Sequence, residues 1–375
     1  MKKLGFGLMR LPLTEPGNEQ AVDVPEVEKM VDRFLDHGFN YFDTAWMYHG
    51  FKSEEVAGEA LVRRHPRDSF QLASKLHSGF FDTHEDMDRV LHEQLEKTHA
   101  GYFDNYLLHG VDGESLEKYE KFDAFHWLLE QKEKGLIRHA GFSFHDSAGV
   151  LDEILKKYPE MEFVQLQLNY LDWNSPWIQS REVHDVAVKH GKPIIVMEPV
   201  KGGTLAKVPE EGMKLFRAKD PDASAASWAI RFAASLDNVE RVLSGMSSMA
   251  QLEDNIRTMD SFTPLTEDEK NLCFRVGEVI NSQITVPCTA CHYCSEGCPK
   301  NIAIPEYFSL YDEDMREDLE EKGWTVNFST YDTLAKKHGK ASDCIECGRC
   351  EKVCPQHIPV ISELKAVAGH FEHKE

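Results

Sequence analysis

Two short runs of cysteine constrain this chain more than any other feature. The first reads Cys288-x2-Cys291-x2-Cys294-x3-Cys298-Pro299, the second Cys344-x2-Cys347-x2-Cys350-x3-Cys354-Pro355. Eight of the nine cysteines fall in these runs. Three thiolates at this spacing wrap three irons of a cubane, while the fourth, set off by three residues and followed by proline, points at a second cluster. The ligand sets are then crossed: Cys288, Cys291 and Cys294 with Cys354, and Cys344, Cys347 and Cys350 with Cys298. Structural zinc is the competing reading, but zinc sites use paired C-x2-C knuckles, four ligands per metal, and require neither the third cysteine nor the proline. The runs therefore predict two 4Fe–4S clusters.

This C-terminal part resembles the two-cluster bacterial ferredoxins. Its 45-residue spacer, 299–343, is longer than in compact members of that family and predicts an inserted, partly helical segment. Clustered cysteines and the lack of a 7–15-residue apolar leader point to a cytoplasmic protein. No apolar run approaches the ~18 residues of a membrane span. The balance of 42 basic against 64 acidic residues, net −22, argues against nucleic acid as a partner. The acidic run Asp312-Glu313-Asp314-Met315-Arg316-Glu317-Asp318 reads as a solvated helix face.

Residues 4–262 alternate short apolar strands with amphipathic helices. Val27, Met30, Val31, Phe34 and Leu35 form one helical stripe, with Pro25 in the first turn and Gly38 after the last. Strands are expected at 39–42, 70–74, 103–108, 137–142, 163–168, 193–197 and 239–243, each followed by a helix. One of these helices carries Phe122, Phe125, Leu128 and Leu129 together. About eight βα units in some 260 residues fit a (β/α)8 TIM barrel better than a doubly wound sheet. The dinucleotide fingerprint begun by Gly5-Phe6-Gly7 fails at Arg10. The expected organisation is a barrel over 1–262, a linking helix over 263–282 and a small ferredoxin-like iron–sulfur domain over 283–375. Cys273 lies on the shoulder of the linking helix's apolar stripe and is expected to pack as a small hydrophobe.

A (β/α)8 barrel places its chemistry at the C-terminal strand ends. There the chain offers Phe42-Asp43-Thr44-Ala45 with Tyr48, Ser74-Lys75, Leu107-Leu108-His109 and Gly141-Phe142-Ser143. In order and spacing this part resembles the aldo-keto reductase superfamily. With the cysteine-rich tail, the whole chain resembles an iron–sulfur-bearing branch of it. The resemblance implies a catalytic tetrad of Asp43, Tyr48, Lys75 and His109. A hydride added to a carbonyl leaves an alkoxide that needs a proton. Tyr48 would supply it, with Lys75 lowering the phenol's pKa, Asp43 holding Lys75, and His109 orienting the carbonyl.

The resemblance also implies a nicotinamide cofactor, NAD(H) or NADP(H). Ser143 and Gln165 would hold its carboxamide, the Gly202-Gly203 loop would pass its pyrophosphate, and Ser244 and Asn255 would sit at its adenylate end. Four positions depart from the family pattern. Phe144, followed by His145, stands where Asn is usual, Met197 replaces the aromatic that stacks on nicotinamide, and Gly245 and Gln251 replace the cations that grip a 2′-phosphate. The last departure leans toward NADH. The expected function is carbonyl–alcohol interconversion on a small substrate, with the clusters exchanging single electrons with a protein partner. A redox-sensing or electron-carrier protein with a retired barrel is the rival. Nicotinamide moves two electrons at once and a cubane one, and the sequence shows no flavin site to join them. Trp46, His77, Phe80, Trp173 and Trp177 are candidate pocket liners.

Overall fold

The computed structural model describes residues 2–15, 18–175, 178–282, 285–315 and 326–372. It falls into two compact units, one of 1–200 with 223–273 and the other of 201–222 with 274–375.

The first unit is a closed barrel of eight parallel strands in chain order. They are β1 (Leu4–Gly7), β2 (Tyr41–Asp43), β3 (Gln71–His77), β4 (Phe103–Val111), β5 (Ile137–Phe144), β6 (Phe163–Gln167), β7 (Ile194–Met197) and β8 (Val239–Gly245). Alternation along the strands explains the lumen. Tyr41, Ala73, Leu107, Phe163, Ile195 and Leu243 pack together there. Glycines complete this layer where neighbours intrude: a side chain at Gly141 would lie 2.6 Å from the carbonyl oxygen of Phe163, and one at Gly5 2.7 Å from Leu243 Cδ2. With a two-residue period, the next inward residues along the strands are Asp43, Lys75, His109, Ser143, Gln165, Met197 and Gly245. The packed layer is thus a floor beneath a polar ring.

The outer helices follow their apolar stripes. Val24–Asp36 buries Val27, Met30, Val31 and Phe34, and Asp23 caps it by accepting from Glu26 N–H. The helix expected to carry Phe122, Phe125, Leu128 and Leu129 is Ala124–Glu133, without Phe122, which instead caps Gly113–Lys121; Asp123 between the two is left-handed at φ +49°. Cys273 is fully buried, as its place on the stripe implied.

The second unit repeats one backbone design around its two cysteine runs. Ala290 and His292 are left-handed in the first run, Glu346 and Gly348 at the same places in the second, and Asn301 matches His357. The hydrogen bonds repeat as well. Cys298 N–H donates to Ser295 O at 3.2 Å and Cys354 N–H to Glu351 O at 3.3 Å; Asn301 N–H and His357 N–H each reach the carbonyl three residues back at 3.0 Å. The spacer between the runs contributes helices Ile304–Met315 and Val326–Ala335, and Val360–Phe371 follows the second run.

Residues 201–222, which lie between β7 and β8 in sequence, group with the cysteine-bearing unit. Their helix, Glu210–Lys219, packs so closely that a side chain at Gly212 would meet Val276 Cγ1 at 3.1 Å. The acidic run is not simply a solvated face. Asp314 is fully buried, accepting from Asn327 Nδ2 at 2.8 Å and meeting His370 Nε2 at 2.9 Å. Asp312 Oδ1 accepts from Val286 N–H at 2.8 Å. Arg316, Glu317 and Asp318 lie outside the described residues.

Candidate active site and cluster cavity

The four strand-end residues converge in the barrel unit. Asp43 ends β2 and Lys75 lies on β3, both buried, with Lys75 Nζ donating to Asp43 Oδ1 at 2.5 Å and to Thr44 O at 2.7 Å. The same ammonium sits 5.0 Å from the centre of the Tyr48 ring. The Tyr48 ring meets His109 edge-on at 5.9 Å. His77, two residues beyond Lys75 on the same face of β3, pairs with His109 in register, their rings 5.5 Å apart.

The protonation states follow from this packing. Burial pulls Asp43 up and Lys75 down, while their mutual contact pulls each back toward its charged form. Burial, reinforced by Asp43 and Glu198, holds the Tyr48 phenol well above its usual pKa of 10.0. This reverses the expectation that Lys75 would lower it. The ammonium is bonded to a carboxylate at 2.5 Å, so little net positive charge is left to favour phenolate. Burial, with Lys75, His77 and His145 nearby, keeps His109 well below 6.5 and hence neutral at pH 7. Its Nδ1 is buried without a hydrogen-bond partner among the described residues.

A second buried network supports β3. Glu54 is fully buried and accepts from Ser74 Oγ at 2.6 Å and Gln94 Nε2 at 2.7 Å. Burial raises its pKa to about 7. Sequence reasoning missed Glu54 and the pairing of His77 with His109. The period of two from Lys75 to His77 was the available signal for the latter.

Residues expected to hold a nucleotide are placed as follows. Ser143 and Gln165 are register partners on β5 and β6. Ser143 Oγ accepts from Gly110 N–H at 2.7 Å, while Gln165 Oε1 is buried without a partner among the described residues. Asn255 Nδ2 donates to Ser244 Oγ at 2.9 Å. Gly202 and Gly203 lie in the other unit. Gly202 is left-handed at φ +62°, and a side chain there would come within 2.4 Å of Thr289 O. Phe144 packs on Phe142 at 6.4 Å. The space at Gly245 is filled by the stem of Arg10, whose Cβ lies 3.1 Å from where a side chain would begin.

Among the candidate pocket liners, Trp46, Phe80 and His77 join Phe51 in one ring cluster. Trp46–Phe80 and Trp46–Phe51 centres are 6.3 Å apart, Phe51–Phe80 5.9 Å and His77–Phe80 5.8 Å. The turn that presents Phe51 is costly: His49, Gly50 and Phe51 are left-handed in succession, at φ +53°, +55° and +74°. The two that are not glycine, His49 and Phe51, cost ~1–3 kcal/mol each, and such residues cluster at functional sites. His49 helps hold the turn, its Nε2 accepting from Leu11 N–H at 3.0 Å while Nδ1 reaches Glu19 O at 2.9 Å. Trp173 instead packs on Phe232 and His184, and Trp177 lies outside the described residues.

In the cysteine-bearing unit, Cys288, Cys291, Cys294 and Cys354 line one cavity with Phe308, Ile358 and Val360. This is the crossed set expected for the first cluster, in an apolar setting. Ala290 N–H points at Cys288 Sγ at 3.4 Å, a donor suited to a thiolate. Among the described residues no three His, Cys, Asp or Glu converge on a point that could hold a single ion. Cys344, Cys347, Cys350 and Cys298 lie at the equivalent places of the repeat.

The model of the aldo/keto reductase family matches residues 3–277. The chain belongs to that family. A 4Fe-4S dicluster domain matches residues 287–358. This reductase is 25% identical over 305 residues to the uncharacterised oxidoreductase YqkF of Bacillus subtilis, covering 72% of this chain and 94% of that protein. It is 38% identical over 74 residues to a component of the ion-translocating oxidoreductase complex of Buchnera aphidicola, covering 20% of this chain and 12% of that protein. Its fold is similar to that of the aldo-keto reductase AKR11C1 from Bacillus halodurans in its holo form, with a TM-score of 0.60 and 26% identity over 73% of this chain and 91% of that one. The chain is thus an oxidoreductase of aldo-keto reductase type with a C-terminal 4Fe–4S domain. No helix among the described residues is long and apolar enough to cross a membrane.

Proposed function

We propose that the barrel interconverts a carbonyl and an alcohol with NAD(H) or NADP(H), and that two 4Fe–4S clusters exchange single electrons with a protein partner. The observation that carries the first part is the convergence of Tyr48, His109 and the buried Asp43–Lys75 pair above the lumen floor. A barrel retired to a carrier role would have no reason to keep that pair buried and bonded.

Nicotinamide, when bound, supplies the hydride. Gln165 would accept from its carboxamide, which suits the unpartnered Oε1. Tyr48, held protonated by burial, gives its proton to the carbonyl oxygen as hydride reaches the carbon, and solvent restores it. Neutral His109 offers one ring N–H to the same oxygen without competing as an acid. Lys75, kept charged by Asp43, holds that pair in place beside the Tyr48 ring. Arg10, laid across Gly245, brings a cation to the strand end where the sequence lacks one, so a 2′-phosphate need not go without a counter-charge. The ring cluster of Trp46, Phe51, His77 and Phe80 favours a flat, apolar carbonyl such as an aryl aldehyde.

Cys288, Cys291, Cys294 and Cys354 would hold one cluster, and Cys344, Cys347, Cys350 and Cys298 the other. The clusters supply one-electron steps. The test of the barrel reading is Tyr48→Phe in the iron-loaded protein. Aryl aldehyde reduction should fall at least a thousandfold while nucleotide affinity stays within about twofold. Retained turnover would refute the assignment.

A further inference from the structure

Tyr48 stands at the head of a strained turn. His49, Gly50 and Phe51, which follow it, are left-handed in succession, and His49 and Phe51 carry side chains that disfavour this conformation. Such a turn persists only where the structure around it over-determines it. The fastening begins two residues later, where the fully buried Ser53 and Glu54 open the helix Ser53–Ala57. Ser53 Oγ donates to Leu8 O at 3.0 Å and accepts from Thr44 Oγ1 at 2.7 Å. The carbonyl of Thr44 in turn accepts from Lys75 Nζ. Glu54 Oε1 accepts from Ser74 Oγ and from Gln94 Nε2, and Gln94 Nε2 also reaches Lys75 O at 3.0 Å. At Gly58 the backbone packs so closely that a side chain would meet Lys97 O at 2.6 Å. The segment after Tyr48 is thus bonded to the end of β2 and to β3, the two strands that bear Asp43 and Lys75.

A carboxyl is a costly way to make this anchor. Ser74 and Gln94 are neutral, and Glu54 Oε2 is buried without a partner among the described residues. Burial lifts the group to about 7, and the fields of Lys97 and Lys75 offset only part of that rise. A buried polar oxygen left unbonded lowers stability, and proteins keep such groups where activity depends on them. What Glu54 supplies is an acceptor on which two donors from different elements converge, one on β3 and one on the helix His84–Thr98.

We propose that Glu54 is a positioning residue of the reductase: it ties the helix that follows Tyr48 to β3 beside Lys75, and so fixes the Tyr48 phenol against the Asp43–Lys75 pair and His109. The inference rests on the reading of Tyr48 as proton donor. Glu54 acts through Tyr48 and takes no part in the proton transfer. Without its bonds the strained turn relaxes and the phenol moves, and a misplacement of ~1 Å costs about a hundredfold in rate.

The test is steady-state reduction of benzaldehyde with NADH or NADPH by the full-length, iron-loaded protein, in H2O and in D2O. Wild type is compared with Glu54→Met, which removes the acceptor, Glu54→Gln, which keeps one, and Ser74→Ala, which removes the same bond from the strand side. In Glu54→Met, kcat should fall about tenfold or more while KM stays within about threefold. The solvent isotope effect on kcat should rise, because a displaced phenol makes proton transfer limiting; a smaller fraction of folded enzyme would leave that effect unchanged. Glu54→Gln should stay within about threefold of wild type, and Ser74→Ala should move both readouts in the direction of Glu54→Met. A kcat for Glu54→Met within about threefold of wild type, a fall in kcat with the isotope effect unchanged, or a Gln variant as slow as the Met variant would each overturn the proposal. If Glu54→Met does not fold, Ser74→Ala decides by the same criteria. Wild type that leaves benzaldehyde unreduced, or Tyr48→Phe that still reduces it, would instead refute the reading of Tyr48 as proton donor.

Discussion

The buried pair beneath Tyr48 makes a quantitative claim. Lys75 is 1% exposed and Asp43 3%, and their contact is 2.5 Å. Asp43 Oδ2 already lacks a partner among the described residues. Replacing Lys75 by Met keeps the length of the side chain but strips Asp43 of its counter-charge and of the ammonium that donates to it. Breaking a buried pair in this way costs about 3–5 kcal/mol. At roughly 2–4 °C per kcal/mol for a unit of this size, the barrel should melt about 10 °C lower. The double variant Asp43→Asn, Lys75→Met removes the stranded carboxylate and should recover more than half of that loss. Thermal melts followed by near-ultraviolet circular dichroism of wild type, Lys75→Met, Asp43→Asn and the double variant close the cycle. If Lys75→Met melts within about 2 °C of wild type, or the double variant is no more stable than the single, the pair is not the buried electrostatic unit described above. The activity of both variants should be lost in either case, so stability is the discriminating readout.

Other outcomes follow from the same groups. Glu54 has a folded pKa of about 7, above its ordinary value of 4.5, so its contribution to stability is complete below pH 4.5 and lost as pH rises through 7. Glu54→Gln should therefore gain on wild type across that window, by up to about 3 kcal/mol, measured by urea unfolding at pH 5 and pH 8. His49, His77 and His109 are shifted the other way, below 6.5. The folded barrel then binds fewer protons than the unfolded chain, and stability present above pH 6.5 should fall as pH drops below it; a flat profile between pH 7 and 5 would contradict the assignment. Gly202→Ala forces a side chain to within 2.4 Å of Thr289 O. It should lower iron content at the adjoining cavity, whereas Gly203→Ala, with nothing within 4 Å, should be milder by iron and sulfide analysis.

Much of the barrel was legible because its signals are local. Strand and helix periods, Pro25 and Gly38 mark the elements. The strand-end residues Asp43, Lys75 and His109 are separated from the packed layer by the two-residue step of a strand. What was not legible depends on contacts between distant residues. Nothing in the order of elements says that Glu210–Lys219 leaves the barrel unit; that follows from Gly212 allowing close packing against Val276. The direction of the Tyr48 shift needed the burial of the phenol, with Asp43 and Glu198 adding to it, since a lysine named alone implies the opposite sign. Asp314 looked solvated because its partners, Asn327 and His370, are 13 and 56 residues away. The cysteine runs carried their own design, and the repeated left-handed residues at Ala290 and Glu346, and at His292 and Gly348, are that design expressed in the backbone.

The central claim is hydride delivery to a carbonyl carbon with Tyr48 as proton donor, and isotope tracing tests it most directly. Iron-loaded protein is mixed anaerobically with NADH or NADPH deuterated at both C4 positions and an aryl aldehyde, and the alcohol is analysed by mass spectrometry while the cluster absorbance is recorded. The account predicts one deuterium on the carbinol carbon of the product, formed by wild type and not by Tyr48→Phe, with the cluster bands unbleached during turnover. Alcohol without deuterium, or nucleotide oxidation that bleaches the clusters while the aldehyde remains, would contradict it.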